Sequence, residues 1–268
     1  MNRIDQVFAE LKNQKRTALI PFLTVGDPSL DVTLEIILQM EQSGADLIEL
    51  GVPYSDPLAD GPVIQRSSER ALQTRITILD VIEVARKARE RGSKLPFILF
   101  TYYNPVLQMG LEKIFRVMQE NDISGVIIPD LPLEEDSYAR ALAEQCGIHL
   151  IPLIAPTSNA RIKRIAANAS GFVYCVSSLG VTGERAEFYS GIHDFLATVR
   201  EATTLPIAVG FGISSREQVA GFEGICDGVV VGSAIVRQIE EVLPQLKDES
   251  NRAEGLLQIG RFVAQLKG

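Results

Sequence analysis

Short apolar runs alternate with longer amphipathic segments along the whole 268-residue sequence, and this alternation constrains the fold more than any other feature. The runs are mostly apolar on both faces, as expected of parallel strands covered by helices. The eight runs are Leu19–Leu23, Leu47–Leu50, Phe97–Phe100, Val126–Ile128, His149–Pro152, Phe172–Val176, Ile207–Val209 and Gly228–Val231. The amphipathic segments between them include Asp31–Gln42, Ile78–Arg91, Leu111–Glu120, Glu134–Gln145, Asn159–Asn168, Ile192–Glu201 and Arg216–Phe222.

Eight strand–helix units within about 250 residues predict a (β/α)8 barrel, the TIM-barrel fold. The segment Ile4–Lys12 has the pattern of an extra helix before the first strand. No linker, low-complexity tract or charge run divides the sequence, so we expect a single barrel domain over residues 1–268. The main alternative, an open doubly wound sheet, needs a glycine-rich dinucleotide turn after its first strand, and Thr24–Pro28 is not such a turn.

Composition excludes several classes of partner. The sequence has 34 acidic against 26 basic residues, a net charge of −8, which argues against nucleic acid or an anionic membrane as the main partner. No apolar run approaches the roughly 18–20 residues that span a bilayer. The N-terminal segment is amphipathic and lacks the apolar centre of a signal peptide. With three scattered cysteines and no CxxC pair, we expect a cytoplasmic protein with reduced thiols.

Two acids in the stretch Ala45–Gln65 are candidate catalytic groups. Glu49 lies near the C-terminal end of the second predicted strand, where an ionised side chain facing the helices would be buried without a partner. We therefore expect Glu49 to face the barrel interior, where partial burial raises the pKa of a carboxyl group and suits it to proton transfer. Asp60 follows in a loop rich in glycine and proline, although Asp60–Gly61 is at least as typical of a simple turn.

Glycine-rich turns after the last two predicted strands indicate a phosphate site. They occupy residues 210–215 and 232–235, and each leads into a helix whose first N–H groups and positive dipole end attract an anion. Phosphate-binding barrels use these two loops. A purely structural role remains open, with the glycines forming tight turns and Ser214 capping a helix.

The loops Gly51–Gly61 and Ser177–Ser190 are long for this fold and follow the C-terminal ends of strands. Such loops often close over a bound substrate, so both are candidate lids. Within the second, Gly180–Gly183 is a candidate flap over the phosphate.

Missing residue types narrow the chemistry. With only His149 and His193, a histidine-based metal site or a Ser-His-Asp triad is nearly excluded. No lysine stands at the C-terminal end of a predicted strand, where a Schiff-base aldolase needs its amine. Acid–base catalysis by carboxylates on a phosphorylated substrate remains.

Apolar side chains near the strand ends indicate a pocket for a flat ring, although most such residues in any barrel serve core packing. They are Phe22, Phe100, Tyr102, Ile127, Pro129, Leu153 and Phe211. Tyr174, on the sixth predicted strand, is a candidate hydrogen-bond partner for a catalytic carboxylate or a substrate hydroxyl.

Five segments of the sequence resemble the tryptophan synthase alpha subunit family, and the likeness covers essentially the whole chain. The second is highly specific, whereas many phosphate-binding barrels share the others. The segments are Pro21–Pro28 (PFLTVGDP), Leu50–Pro62 (LGVPYSDPLADGP), Gly180–Gly183 (GVTG), Gly210–Ser214 (GFGIS) and Gly232–Val236 (GSAIV).

The resemblance implies a (β/α)8 barrel that cleaves indole-3-glycerol phosphate to indole and glyceraldehyde 3-phosphate. It implies that Glu49 is the acid–base group, that Asp60 holds the indole N–H, and that Tyr174 and Thr182 support the two acids. The implied indole-pocket residues are Phe22, Phe100, Ile127 and Phe211. The implied phosphate-binding residues are Gly183, Gly212, Gly232 and Ser233.

The resemblance also implies an α2β2 complex with a β subunit that receives the indole. Pyridoxal phosphate is expected in that partner, and no cofactor or metal is expected in this chain. The partner would face the loop after the second strand, Asn104 and the turn Asp130–Pro132.

Two other functions stay open on the sequence. One is a phosphosugar isomerase or an indole-ring-forming synthase on the same barrel, although the synthase would be expected to use a strand-end lysine. The other is an allosteric binding subunit without catalysis of its own.

Overall fold

The computed structural model describes residues 1–156, 159–176, 191–210 and 212–268. Within them, parallel strands form one curled sheet in the order β5-β4-β3-β2-β1-β9-β8-β7-β6. The strands are β1 Ala18–Thr24, β2 Ile48–Gly51, β3 Phe97–Phe100, β4 Ile123–Ile127, β5 His149–Leu150, β6 Leu153–Ile154, β7 Val173–Val176, β8 Ile207–Gly210 and β9 Gly228–Val231.

Helices follow most of the strands and cover the outside of the sheet. They are α1 Arg3–Gln14, α2 Leu30–Gln42, α3 Pro62–Leu72, α4 Ile78–Glu90, α5 Tyr103–Met109, α6 Leu111–Glu120, α7 Ser137–Gln145, α8 Asn159–Ala167, α9 Ile192–Ala202, α10 Arg216–Phe222, α11 Ser233–Glu241, α12 Leu243–Lys247 and α13 Arg252–Lys267. In the described part of the chain, no helix is both long enough and apolar enough to cross a membrane.

The fifth barrel strand is divided into two short pieces. The first, β5, pairs with β4, and the second, β6, pairs with β7, so one segment of chain joins both ends of the sheet order. Ile151 N donates to Val126 O at 2.9 Å, and Tyr174 N donates to Pro152 O at 3.1 Å. Pro152 has no N–H to donate, which fits the interruption of the ladder. The predicted (β/α)8 barrel is confirmed, but the single predicted strand His149–Pro152 is wrong.

Alternation along the strands divides the core into an interior and a helix-facing layer. On β1, Ala18, Ile20 and Phe22 belong to the interior cluster, whereas Leu19 and Leu23 belong to the larger cluster beneath the helices. Successive side chains of a strand point to opposite faces, so this pattern is the expected one.

Helix α1 closes the end of the barrel at which the strands begin. Its buried residues Ile4 and Phe8 belong to the interior cluster, and the Phe8 ring lies 5.5 Å from that of Phe172, between centroids. The Asn2 side chain accepts from Ile4 N at 2.9 Å and donates to Ser124 O at 2.8 Å, which fastens the start of the helix. The predicted extra helix is confirmed with slightly wider bounds, and it acts as a plug.

Replacement of Phe8 by Ala should lower the free energy of unfolding by about 3–5 kcal/mol, because it leaves a cavity between the plug and Phe172. Urea unfolding monitored by circular dichroism measures this change. The control Leu257→Ala, at a half-exposed position of α13, should change stability by less than about 0.5 kcal/mol. Equal, small losses in both variants would contradict the plugging role of α1.

Candidate active site

A pocket with about 400 Å³ of empty space lies among the carboxyl ends of the strands. Both candidate acids and residues from both predicted phosphate turns line it. The described lining residues are Phe22, Glu49, Asp60, Ile64, Phe100, Tyr174, Gly212, Val230, Gly232 and Ser233. The structure therefore brings together side chains that are up to 211 positions apart in the sequence, from Phe22 to Ser233.

Glu49 faces the barrel interior, as predicted. It stands on β2 between Phe22 of β1 and Ile98 of β3, which are its register neighbours. The residue is only 1% exposed, and its Oε1 atom has no hydrogen-bond partner among the described residues. Burial raises the pKa of Glu49 to about 8, because the apolar surroundings disfavour the charged form. Near neutral pH the Glu49 side chain is therefore predominantly a protonated acid.

Asp60 stands at the end of the long loop, two residues before α3 begins. It is 6% exposed, and burial raises its pKa to about 6, although a hydrogen bond from Tyr102 acts in the opposite direction. The Tyr102 hydroxyl donates to Asp60 Oδ2 at 3.1 Å and accepts from Ala59 N at 3.0 Å. Its ring stacks on Tyr54 with centroids 4.9 Å apart, so Tyr102 supports the loop at two points.

The environments of the two acids separate their protonation states. Between about pH 6 and about pH 8, Asp60 is predominantly ionised while Glu49 is predominantly protonated. Two carboxyl groups with pKa values pushed apart in one pocket are suited to different steps of a reaction. One group is able to donate a proton while the other stabilises a positive charge.

Aromatic side chains form one wall of the pocket. The rings of Phe22 and Phe100 meet edge to face, with centroids 5.5 Å apart. Gly51 leaves room for this arrangement, since a Cβ atom at that position would lie 2.5 Å from Phe22 Cζ. Ile127 is buried in the same interior cluster but is not among the residues that line the pocket in the described part of the chain.

Tyr174, on β7, lies across the barrel interior from Glu49 and is close to it. Burial and, secondarily, the negative charge of Glu49 raise the pKa of the Tyr174 hydroxyl well above its ordinary value. A Cβ atom at position 210 would lie 2.1 Å from this hydroxyl, so the glycine at the end of β8 is needed for the Tyr174 side chain.

Backbone from the last two turns forms another part of the pocket. Gly212 has φ of +99°, a conformation that favours glycine. Gly232 precedes α11, whose first turn carries no acidic side chain. A helix N-terminus of this kind presents free N–H groups to an anion. The helix cap of α10 is Ser215, which accepts from Gln218 N at 3.3 Å, so the alternative that Ser214 caps this helix is wrong.

Some site residues fall outside the sequence analysis or outside the described structure. Thr182, Gly183 and Phe211 lie outside the described residues. The lining residues Ile64 and Val230 and the Tyr102–Asp60 bond were not predicted. Strand alternation alone was enough to place Val230 in the barrel interior. The position of Ile64 depends on helix α3, which was not predicted. No group of three His, Cys, Asp or Glu side chains in the described ranges is arranged to hold a metal ion.

The fold and the pocket define a (β/α)8 barrel with an acidic site at the carboxyl ends of its strands, where enzymes of this fold carry their active sites. The family model of the tryptophan synthase alpha chain matches residues 8–264. A tryptophan synthase alpha chain from Geobacillus sp. (strain WCH70) is 49% identical over 257 residues, covering 96% of this chain and 98% of the relative. The chain belongs to the tryptophan synthase alpha chain family.

Solved structures agree with this assignment. Tryptophan synthase subunit alpha from Legionella pneumophila str. Paris superposes with a TM-score of 0.89 at 34% identity, covering 100% of this chain and 97% of the other. A chain from the tryptophan synthase α2β2 complex of Pyrococcus furiosus, described in terms of mutual activation, has a TM-score of 0.83 at 35% identity, with coverage of 93% and 97%.

Replacement of Glu49 by Gln should stabilise the protein, and the gain should grow with pH. In the unfolded chain the carboxyl group ionises near its ordinary pKa of 4.5, whereas in the folded chain it stays protonated up to about 8. Folding stability is therefore lost as the pH rises through this window, by up to about 5 kcal/mol above pH 8. The glutamine variant is free of this penalty.

Urea unfolding of the wild type and Glu49→Gln at pH 5 and pH 8.5 measures the effect. The exposed control Glu249→Gln should leave stability nearly unchanged at both pH values. A Glu49→Gln difference that does not vary with pH would contradict the buried, protonated state.

Proposed function

We propose that this pocket performs the retro-aldol cleavage of indole-3-glycerol phosphate to indole and glyceraldehyde 3-phosphate, with Glu49 and Asp60 as the catalytic residues. As a member of its family, the protein is a lyase of tryptophan biosynthesis that acts on indole-3-glycerol phosphate. The proposal concerns the residues that do the chemistry and the partner that takes the product. The observation that carries it is one pocket lined by two buried acids and by the backbone of Gly212 and Gly232.

The chemistry requires a proton at the indole ring carbon that bears the side chain. Glu49, protonated at neutral pH, donates this proton, and the ring becomes transiently cationic. The resulting carboxylate then removes the proton of the hydroxyl group on the neighbouring side-chain carbon. That carbon becomes the aldehyde, and the electron pair of the breaking C–C bond returns to the ring, which restores its aromaticity. Glu49 ends the cycle protonated.

Asp60 stabilises the cationic ring. Its ionised carboxylate accepts a hydrogen bond from the indole N–H and places negative charge beside the developing positive charge. Tyr102 orients this carboxylate through its hydroxyl. The resemblance assigns further support of the two acids to Tyr174 and Thr182.

The remaining pocket residues bind the two ends of the substrate. Phe22 and Phe100 provide an apolar wall for the indole ring, and the resemblance adds Ile127 and Phe211. Backbone N–H groups of Gly212, Gly232 and Ser233 hold the phosphate at the start of α11, and the resemblance adds Gly183. This scheme uses no metal or cofactor in this chain.

Glu49→Gln should lower the kcat for indole release from indole-3-glycerol phosphate by about 10²–10⁴-fold, because glutamine donates no proton to carbon. Its KM should change little, since the two side chains have similar size.

The wild-type rate should be greatest between about pH 6 and about pH 8, where Asp60 is ionised and Glu49 is protonated. Asp60→Asn should remove the dependence on the lower of these pKa values. Wild-type activity in Glu49→Gln would end the proposal.

We further propose that the pocket end of the barrel docks a β subunit, in an α2β2 complex that carries pyridoxal phosphate in the partner. Two leucines near the pocket are exposed, Leu58 at 78% and Leu107 at 52%. Leu58 precedes Ala59, which bonds Tyr102 at the start of α5, and Leu107 lies on that helix. Asp130 accepts from Tyr103 N at 2.8 Å and so joins its turn to the same helix. The related chain from an α2β2 complex supports this choice of partner.

Leu58→Asp and Leu107→Asp should each weaken binding of the β subunit from the same organism by at least about tenfold, because a buried charge replaces an apolar contact. Sedimentation velocity measures the complex, followed by the absorbance of the pyridoxal phosphate that the partner carries. The control Leu257→Asp alters a half-exposed leucine on α13 and should bind like the wild type. Undiminished binding by both Leu58→Asp and Leu107→Asp would refute this docking surface.

A further inference from the structure

We propose that Arg70 is a positioning residue that ties the acid end of the pocket to its anion-binding end. The inference rests on the proposed function, because it concerns how the same pocket keeps its shape. Arg70 contacts no pocket-lining residue by a described hydrogen bond, and it acts through two carboxylates, Asp27 and Glu240.

The first carboxylate belongs to the loop that follows β1. Arg70 Nε donates to Asp27 Oδ1 at 2.9 Å, and Nη2 donates to Asp27 Oδ2 at 2.7 Å. Asp27 is buried, and this parallel pair of bonds fixes both the distance and the orientation of the two side chains. Helix α3 is thereby held to the end of the strand that also carries Phe22.

The second carboxylate belongs to α11. Arg70 Nη1 donates to Glu240 Oε1 at 2.7 Å, so one guanidinium group contacts both acids. Arg66, one turn earlier on α3, donates to Glu240 through Nε at 3.0 Å and Nη2 at 2.7 Å. Hydrogen bonding from Arg66 lowers the pKa of Glu240 to about 2, so the network stays charged across the neutral range.

Arg70 joins helices α3 and α11, whose first turns both supply described residues of the pocket lining. Helix α3 begins directly after Asp60 and Gly61, and its Ile64 lines the pocket. Helix α11 begins at Ser233, next to Gly232, in the proposed phosphate site. Arg70 lies eight residues beyond Pro62, roughly 12 Å along the helix axis. A rigid link at this point fixes the distance between Asp60 and the proposed phosphate site at Gly232 and Ser233.

Among the described residues, Asp60 is held by hydrogen bonds from Tyr102 and from Gln65 of α3, so its position depends on that of the helix. Its side-chain bond comes from the Tyr102 hydroxyl, and its carbonyl accepts from Gln65 Nε2 at 2.7 Å, which joins it to the first turns of α3. The hydroxyl pair Thr24–Ser67, at 2.6 Å, also fastens α3 to the end of β1. Only the arginine pair reaches from α3 to α11 among the described ion pairs, and only Arg70 of these two contacts Asp27.

The test compares Arg70→Met with Arg66→Met, a matched pair on one helix. We measure kcat and KM for indole release from indole-3-glycerol phosphate, and the inhibition constant of inorganic phosphate as a competitive probe. Arg70→Met should raise both KM and the phosphate inhibition constant at least about fivefold and lower kcat by about tenfold or more, since displaced catalytic groups lose rate steeply. Arg66→Met keeps the connection from Asp27 through Arg70 to Glu240, so each value should change by a smaller factor than in Arg70→Met.

Single variants should distinguish the two contacts of Arg70, one with Asp27 and one with Glu240. Glu240→Ala releases the α11 side and should weaken phosphate inhibition more than it lowers kcat, whereas Asp27→Asn loosens the α3 side and should lower kcat more. A purely structural role would reduce the amount of folded enzyme and leave KM unchanged. Unchanged KM and phosphate inhibition in Arg70→Met, or equal effects in Arg66→Met, would overturn the inference. Failure of the proposed function would appear separately, as full activity in Glu49→Gln.

Discussion

Everything at this site depends on keeping a carboxyl group inside an apolar barrel. Glu49 is almost fully buried, and its Oε1 atom lacks a hydrogen-bond partner among the described residues. The cost of ionising it there is what raises its pKa to about 8 and leaves it a proton donor at neutral pH. Elsewhere in the barrel the same interior positions hold side chains such as Ile98 and Val230. Glu49 therefore lowers the folding stability of an otherwise apolar core.

The parallel sheet makes this arrangement possible. Alternation along β2 turns Glu49 inward, while Ile48 and Leu50 pack under the helices. Because all the strands run in the same direction, their carboxyl ends meet at one end of the barrel, and the loop after β2 returns Asp60 to that end. The plug formed by α1 closes the other end, so the pocket opens where the loops lie.

Much of this could be predicted from the sequence, because periodicity and residue type act locally. The apolar runs predicted the strands, and the free-energy cost of burying a charged side chain predicted that Glu49 faces the barrel interior. The division of the fifth strand at Pro152 was missed, although the missing N–H of proline offered a signal. Helix α3 was missed as well, since its sequence Pro62–Leu72 follows directly from a turn-rich loop.

Contacts between distant side chains could not be predicted. The bond between Tyr102 and Asp60 joins residues 42 positions apart, and that between Arg70 and Glu240 joins residues 170 positions apart. Nothing in residue type or spacing selects these partners among the many tyrosines, arginines and acids of the chain. They become visible only when the barrel brings together the loops and helices that carry the two acids and the anion-binding turns.

The most direct measurement is the titration of Glu49 itself, by carbon NMR of the side-chain carboxyl in protein labelled at glutamate. One glutamate signal that vanishes in Glu49→Gln should titrate near pH 8. A signal that titrates near 4.5, the ordinary value for glutamate, would show that Glu49 is a charged, solvated group and would contradict the account.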